Sequence, residues 1–361
     1  MSRKYFPNVH HICVVPSDSI RVVISRMNNS RLGIALVVND QDQLLGTVTD
    51  GDIRRAALAN INFDEPVRLL LERKADSKYA KPISAITESD PGLYLAVLKQ
   101  HDILHLPLID AQGRVADLVT LHDFLPAEPL PPLQAVIMAG GAGTRLLPLT
   151  ENTPKPMLLV GGRPLMEITI EQLRDAGVRQ INISTHYAPE KITEHFGNGQ
   201  HLGIELSYIA EDRPLGTAGA LGLLKCPDHT TLVINGDILT GVDFRAMAAF
   251  HREHSADLTI AVRQYGLQVP YGVVECDGAA VRQLTEKPAL SFLVNAGIYL
   301  LEPPVYQYIP QGERIDMTDL IQRLLNDGRK IVSFPVHEYW LDIGQPSDYQ
   351  VAQDHAKSTS S

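Results

Sequence analysis

Between Phe124 and Gln134 the chain reads FLPAEPLPPLQ, four prolines in eleven residues. Proline lacks the N–H that helices and sheet ladders use and fixes φ, so such a run continues neither element and reads as a semi-rigid spacer. It cuts the 361-residue chain into two segments that must each build a core, in keeping with single cores that stop growing near ~250–300 residues. We expect a first domain at 1–125, a linker at 126–133, a second domain at 134–355 and a flexible tail at 356–361.

The first segment repeats itself. IALVVNDQDQLLGTVTDGDIRRAAL (Ile34 to Leu58) and HLPLIDAQGRVADLVTLHDFL (His105 to Leu125) share an apolar strand, a polar turn, a second strand and a Thr-x-x-Asp leading into a helix. Thr49 pairs with Thr120 and Asp52 with Asp123, giving repeats at about 8–60 and 78–125. In the second repeat Ala116 and Asp117 stand where the first has Leu45 and Gly46.

The second segment alternates short β-rich runs with helical ones. AVIMAGG is a strand closing in a glycine turn, LMEITIEQLRDAGV an amphipathic helix with Leu165, Ile168, Leu173 and Ala176 inward, and RQINIST the next strand. That order predicts an α/β fold, Rossmann-like, with a mostly parallel sheet covered by helices. TLVINGD brings Asp237 to the carboxyl end of a strand, where ligands of such sheets gather.

A formal charge of −10 disfavours a surface that tracks nucleic acid and points to small anions held in local basic pockets. Cys13, Cys226 and Cys276 are odd in number and far apart, which suits neither a disulfide framework nor a zinc site. No apolar run approaches the ~20 residues that span a bilayer, and the first residues lack a signal-like apolar core. A soluble cytoplasmic protein without nucleic-acid or membrane partners is expected.

The stretch MAGGAGTRLLPLTENTPKP, Met138 to Pro156, carries most of the chemistry. Glycines let backbone N–H groups converge on an anion, because no Cβ blocks close approach. A Rossmann fingerprint would need a third glycine where Leu146 stands, and a Walker A loop would need Gly-Lys-Ser/Thr where Gly143, Thr144 and Arg145 stand. By itself the turn could be only a tight connection. Arg145, a planar fork for phosphate oxygens, and Lys155, a mobile point charge between Pro154 and Pro156, favour a phosphate site. His251 and His254 are spaced like metal ligands, but nothing completes a site and a solvated helix face is expected.

With EDRPLGTAGAL, VINGD, YGVVE, TEKP, VNAGIYLLEP and YWLDIG following in order, residues 134 to 352 resemble the sugar-1-phosphate nucleotidyltransferases. The upstream duplication resembles a tandem pair of CBS repeats, and the whole resembles CBS-fused guanylyltransferases that make GDP-glucosamine for legionaminic acid synthesis, with mannose-1-phosphate guanylyltransferases next. The resemblance implies a glycosyltransferase-A-like domain that joins a nucleoside triphosphate to a sugar 1-phosphate and releases pyrophosphate. It implies a nucleotide held by Gly140, Gly141, Gly143, Thr144, Arg145, Glu211, Gly216 and Thr217, with Arg145, Lys155 and Asp237 catalytic. Glu211, an acceptor-only group, would favour GTP through the two adjacent donors of guanine.

The same resemblance implies a sugar phosphate held by Gly272, Glu286, Lys287 and Asn295, and Mg2+ held by Asp237 and Asp342. As local alternatives, Asp237 could form a turn and Asp342 a backbone cap. Thr49, Asp52, Thr120 and Asp123 would bind an adenine nucleotide as regulator, or only cap helices in a dimerising unit. A homo-oligomer is expected. An adenylyl-, uridylyl- or thymidylyl-transferring enzyme with another sugar is the nearest alternative, and a nucleotide-sensing protein that has lost activity is the alternative of another class.

Overall fold

The computed structural model describes residues 5–359 apart from 7, 31, 78, 88, 125–132 and 142. Of the linker expected at 126–133, all but Leu133 lies outside the described residues. The chain divides into two units, Met1–Glu128 and Pro129–Ser361.

The first unit holds β1 (Cys13–Val14), α1 (Ile20–Ser30), β2 (Ile34–Val38), β3 (Leu44–Thr49), α2 (Asp50–Leu58) and α3 (Arg68–Arg73). It continues with β4 (Ala85–Ile86), α4 (Pro91–Gln100), β5 (His105–Ile109) and β6 (Val115–Thr120). The duplication is visible in the pairing: β1 runs parallel to β2 and β2 antiparallel to β3, and β4, β5 and β6 repeat that order. Strand β2 is buried at every position, as a run of Ile, Ala, Leu and Val demands, and packs with Val23, Ile53 and Leu70. The second Thr-x-x-Asp leads into a single 3-10 turn, Leu121–Asp123, where the sequence predicts a helix like α2.

Asp117 explains where the two repeats part. Its buried carboxylate accepts the backbone N–H groups of Tyr5 (2.8 Å), Phe6 (2.7 Å) and Leu118 (2.8 Å). Tyr5 packs edge-on to Tyr94 in the core of the second repeat. In the first repeat the equivalent Gly46 lies against Leu71 of α3, where a Cβ would come within 2.7 Å of the end of the leucine side chain. A helix therefore covers one repeat and the segment at residues 5–6 is bound to the other.

The second unit runs β7 (Gln134–Met138), the small hairpin β8 (Leu159–Val160) and β9 (Arg163–Pro164), α5 (Leu165–Ala176), β10 (Gln180–Thr185), α6 (Pro189–Phe196) and β11 (Glu205–Ala210). There follow α7 (Gly216–Gly219), β12 (Thr231–Asn235), β13 (Ile238–Thr240), α8 (Phe244–Glu253), β14 (Leu258–Gln268), β15 (Val273–Asp277), β16 (Ala280–Thr285) and β17 (Ala289–Leu301). The chain closes with α9 (Met317–Asn326), β18 (Ile331–Val336), β19 (Trp340–Asp342) and α10 (Pro346–Thr359). Seven strands form the central sheet in the order β11-β10-β7-β12-β17-β14-β18. Its pairs are parallel except at β17, which is antiparallel to both β12 and β14.

Helix α5 starts after Pro164 and stops at Gly177, whose φ of 107° ends it in the left-handed manner usual for a C-terminal glycine. Leu165, Leu173 and Ala176 face inward as the sequence predicts, but Met166 and Ile170 complete the buried stripe and Ile168 is only partly buried. The flexible tail predicted at 356–361 is corrected at its start, since α10 continues through Thr359 and Ala356 packs with Val160, Ile343 and Ala352. Residues 360–361 lie outside the described residues.

Strands β14 and β17 extend past their neighbours as a two-stranded ribbon, joined to the β15–β16 hairpin. Tyr265 pairs with Phe292 and Leu267 with Leu290 there, and all four side chains are exposed.

Candidate active site

Parallel strands β7 and β12 lie side by side, and their carboxyl ends carry the glycine loop and Asp237. Gly236 joins them closely: its N–H donates to Met138 O (2.8 Å), and a Cβ there would stand 2.8 Å from that oxygen and 3.0 Å from Pro156 Cγ. Only glycine fits, which accounts for the Gly-Asp pair and sets Lys155 beside it. Strand β19 then pairs antiparallel with β13, placing Asp342 opposite Ile238, the residue after Asp237. Ile343 N–H donates to Asp237 O (3.0 Å). Sheet register thus brings together two aspartates more than a hundred residues apart.

Lys155 lies in a 3-10 turn and is 8% exposed. Its Nζ donates to Asp237 Oδ2 and stands 3.9 Å from Asp342 Oδ1. The other oxygen of Asp237, Oδ1, is buried without a hydrogen-bond partner. Burial, and next the charge of Asp237, raise the Asp342 carboxyl above its ordinary value, against the pull of Lys155 and Arg145. Arg145 follows Gly143 in a 3-10 turn, and its Nη1 and Asp342 Oδ1 lie 3.9 and 3.8 Å from where a Cβ on Gly344 would be. An uncommitted buried carboxylate oxygen beside a second carboxylate held above its normal pKa is a donor set that suits a hard divalent cation such as Mg2+.

Glu211 follows β11 directly and is buried, 8% exposed. Its Oε2 accepts from Leu215 N–H (3.0 Å), and a Cβ on Gly140 would come within 2.6 Å of its Oε1. The carboxylate therefore rests on the glycine loop, and a solvent-exposed strand end is excluded for it. Gly216 and Thr217 open α7, which lies against residues 315–317.

Of the four residues assigned to the sugar phosphate, Asn295 is on β17, and Gly272, Glu286 and Lys287 lie in the two connections between the ribbon and the β15–β16 hairpin. Gly272, Glu286 and Lys287 are exposed, and Gly272 lies close to Glu286 Oε2. Lys287 has φ 45°, a left-handed conformation that costs an L residue about 1–2 kcal/mol. Asn295 holds the bend in β17: its Nδ2 donates to Tyr299 Oη (2.8 Å) and its Oδ1 accepts from Gly297 N–H (3.0 Å). Trp340 Nε1 donates to Ala296 O (2.8 Å) in the same bend.

In the first unit both Thr-x-x-Asp motifs form capping boxes. Asp52 accepts from Thr49 N–H (2.8 Å) and Oγ1 (3.0 Å), from Arg55 (2.7 Å) and from Lys74 (2.6 Å). Burial opposes its charge, yet Lys74, Thr49 and Arg55 hold its carboxyl below the usual range. Asp123 accepts from Thr120 alike and is exposed.

The expectation of a solvated face for His251 is corrected. It is 2% exposed on the inward side of α8, with Nδ1 at 2.7 Å from Thr259 Oγ1 and Nε2 at 3.0 Å from Glu302 Oε1. His254 is partly buried and stacks on Phe250. Among the described residues no helix is long and apolar enough to cross a membrane.

The sequence model of the family described as nucleotidyl transferase matches residues 134–359, and that of the CBS domain matches residues 1–59. A mannose-1-phosphate guanylyltransferase of Mycobacterium tuberculosis is 36% identical over 225 residues, covering 60% of this chain and 62% of that protein. A UTP–glucose-1-phosphate uridylyltransferase of Synechocystis is 34% identical over 238 residues, 60% of this chain and 61% of that one. The chain thus spans less than two thirds of the length of these relatives. A crystal structure from Bacillus anthracis, provisionally assigned as a glucose-1-phosphate thymidylyltransferase and holding sucrose, superposes with a TM-score of 0.52 at 26% identity, over 62% of this chain and 95% of that one.

Proposed function

From the premise that this chain belongs to the nucleotidyl transferase family, we propose that it transfers a nucleoside monophosphate from a nucleoside triphosphate to a sugar 1-phosphate, with GTP as the preferred donor. The observation that carries this reading is Lys155 set between Asp237 and Asp342, next to Arg145 and the glycine loop. A phosphate oxygen of the sugar 1-phosphate forms a bond to the α-phosphorus as the bond to the bridging oxygen breaks and pyrophosphate leaves. A phosphomonoester has its second pKa near ~6, so the nucleophile is ionised at neutral pH and no general base is needed. What remains is to hold anions together in line, a task of positioning and charge. The Gly140–Thr144 backbone and Arg145 hold the triphosphate, Lys155 meets the charge that grows on the α-phosphate, and Lys287 takes the sugar phosphate. Asp237 and Asp342 would hold Mg2+, which supplies further positive charge to the phosphates when bound.

Relatives named for mannose 1-phosphate and guanylyl transfer support a guanylyltransferase. For the acceptor we favour glucosamine 1-phosphate, on the resemblance to CBS-fused enzymes of legionaminic acid synthesis, with mannose 1-phosphate second. Self-association and a cytoplasmic location belong to the same proposal. An adenine nucleotide at the first repeat would have to compete with Arg55 and Lys74 for Asp52. The deciding experiment sets several nucleoside triphosphates against glucosamine, mannose and glucose 1-phosphates with Mg2+ and reads pyrophosphate release. Turnover with GTP and a hexose or hexosamine 1-phosphate is expected. No turnover in any pairing would leave a nucleotide-sensing protein as the better account.

A further inference from the structure

Thr217 and Asp316 are far apart in sequence and clamp two helix starts together. Thr217 N–H donates to Asp316 Oδ1 (3.1 Å), and Met317 N–H donates to Thr217 Oγ1 (2.8 Å), so the first turns of α7 and α9 satisfy each other. Backbone bonds reinforce the joint. Ile315 N–H donates to Leu215 O (2.9 Å), while Ala218 and Gly219 N–H both donate to Ile315 O (3.1 Å each). A Cβ on Gly216 would lie 2.6 Å from both Asp316 Oδ1 and Ile315 O, so the absence of a side chain at Gly216 serves this contact. The joint continues toward the nucleotide: Leu215 N–H holds Glu211 Oε2, and Glu211 Oε1 rests on Gly140.

We propose that Asp316 is a positioning residue for the nucleoside triphosphate, acting through the 215–219 turn on Glu211, and that the Thr217 hydroxyl belongs to this clamp and not to the nucleotide. The inference rests on the transfer reading above and makes Asp316, which no glycine or aspartate motif includes, a determinant of nucleotide affinity and base choice. Loosening the turn frees Leu215 N–H from Glu211 and lets the carboxylate leave the glycine loop. Lys155 stands on the 155–157 turn, Asp237 in the turn between β12 and β13, and Asp342 on β19, and none of them is among the hydrogen-bond partners of the clamp. Nucleotide binding should therefore suffer and the chemical step should not.

The test compares Asp316→Ala with Asp316→Asn, which keeps the Oδ1 acceptor and remains a good helix cap. Turnover with saturating sugar 1-phosphate, equilibrium GTP binding and melting temperature are measured on each. Asp316→Ala should raise KM and Kd for GTP about tenfold, the size of one lost hydrogen bond, with kcat within about twofold and a reduced GTP-over-UTP preference. Asp316→Asn should restore all three. A variant that melts lower but binds GTP as wild type does, a loss confined to kcat, or an asparagine no better than alanine would overturn the proposal. If the wild type turned over no nucleotide the transfer reading would fall, and the GTP dissociation constants would still decide the clamp. A wild type that bound no GTP would sink the clamp proposal and the GTP preference, and would leave transfer from another nucleoside triphosphate standing.

Discussion

Lys155 Nζ donates to Asp237 Oδ2 and stands 3.9 Å from Asp342 Oδ1, so one ammonium serves two carboxylates before any substrate arrives. Three groups that each need a counter-charge are held by one another, and an incoming phosphate and cation would exchange partners with them. Lys155→Ala should lower kcat by about 10²-fold or more, and much less KM, because the charge that it meets is greatest in the transition state. Steady-state kinetics at saturating magnesium check it; a change in KM alone would make Lys155 a docking residue. Asp237→Asn should lose turnover to a similar degree while remaining folded.

Asp342 offers a pH test. Its folded pKa is raised above the unfolded value, so the ionised form weakens the fold above the folded pKa and that penalty vanishes as pH falls below it. Asp342→Asn removes the charge permanently. It should therefore melt higher than wild type at pH 7, and the gap should close as the pH is lowered toward 4. Thermal melts across that range, without added metal, decide it; a gap that widens on acidification contradicts the assignment of the strain to Asp342.

Base choice is tested at Glu211. Glu211→Gln keeps an oxygen for Leu215 N–H but turns one acceptor into a donor, which suits uracil better than guanine. A mismatch of this kind costs roughly 1–3 kcal/mol, so the ratio of kcat/KM for GTP to that for UTP should fall at least about fivefold. An unchanged ratio would leave Glu211 as a prop for the glycine loop alone.

In the first unit, Asp117→Ala would leave one buried and two partly buried N–H donors without their acceptor. The loss should be about 2–3 kcal/mol, read as a lower melting temperature of a fragment spanning residues 1–128, the first of the two units. A fragment that melts as the unaltered one does would mean that residues 5–6 hold on through Tyr5 and its aromatic contacts.

Local patterns carried much of this to the surface of the sequence. The β-α alternation, the glycine turn, and Gly-Asp at a strand end follow from neighbours a few residues away. What escaped depends on partners far along the chain. Asp117 broke the repeat pattern for a reason that lies at residues 5 and 6, and Thr217 is explained by Met317. His251 looked like a surface residue until buried Thr259 and half-buried Glu302 gave its ring two partners. Asp316 forms a capping box with Asp319, and nothing within that box says what the start of α9 touches.

Strand β14 is one strand by hydrogen bonding and two by environment. From Leu258 to Val262 its side chains are largely buried in the core, whereas from Tyr265 to Gln268 its side chains are exposed. Its last residues are held by the ladder to β17 and little else. Amide exchange should therefore be slow in the first half and fast in the second, with the change falling near Arg263. Glu286 and Lys287 lie beyond that change, on the exposed side, so under the proposed transfer a sugar phosphate would be met by groups that settle only as it arrives.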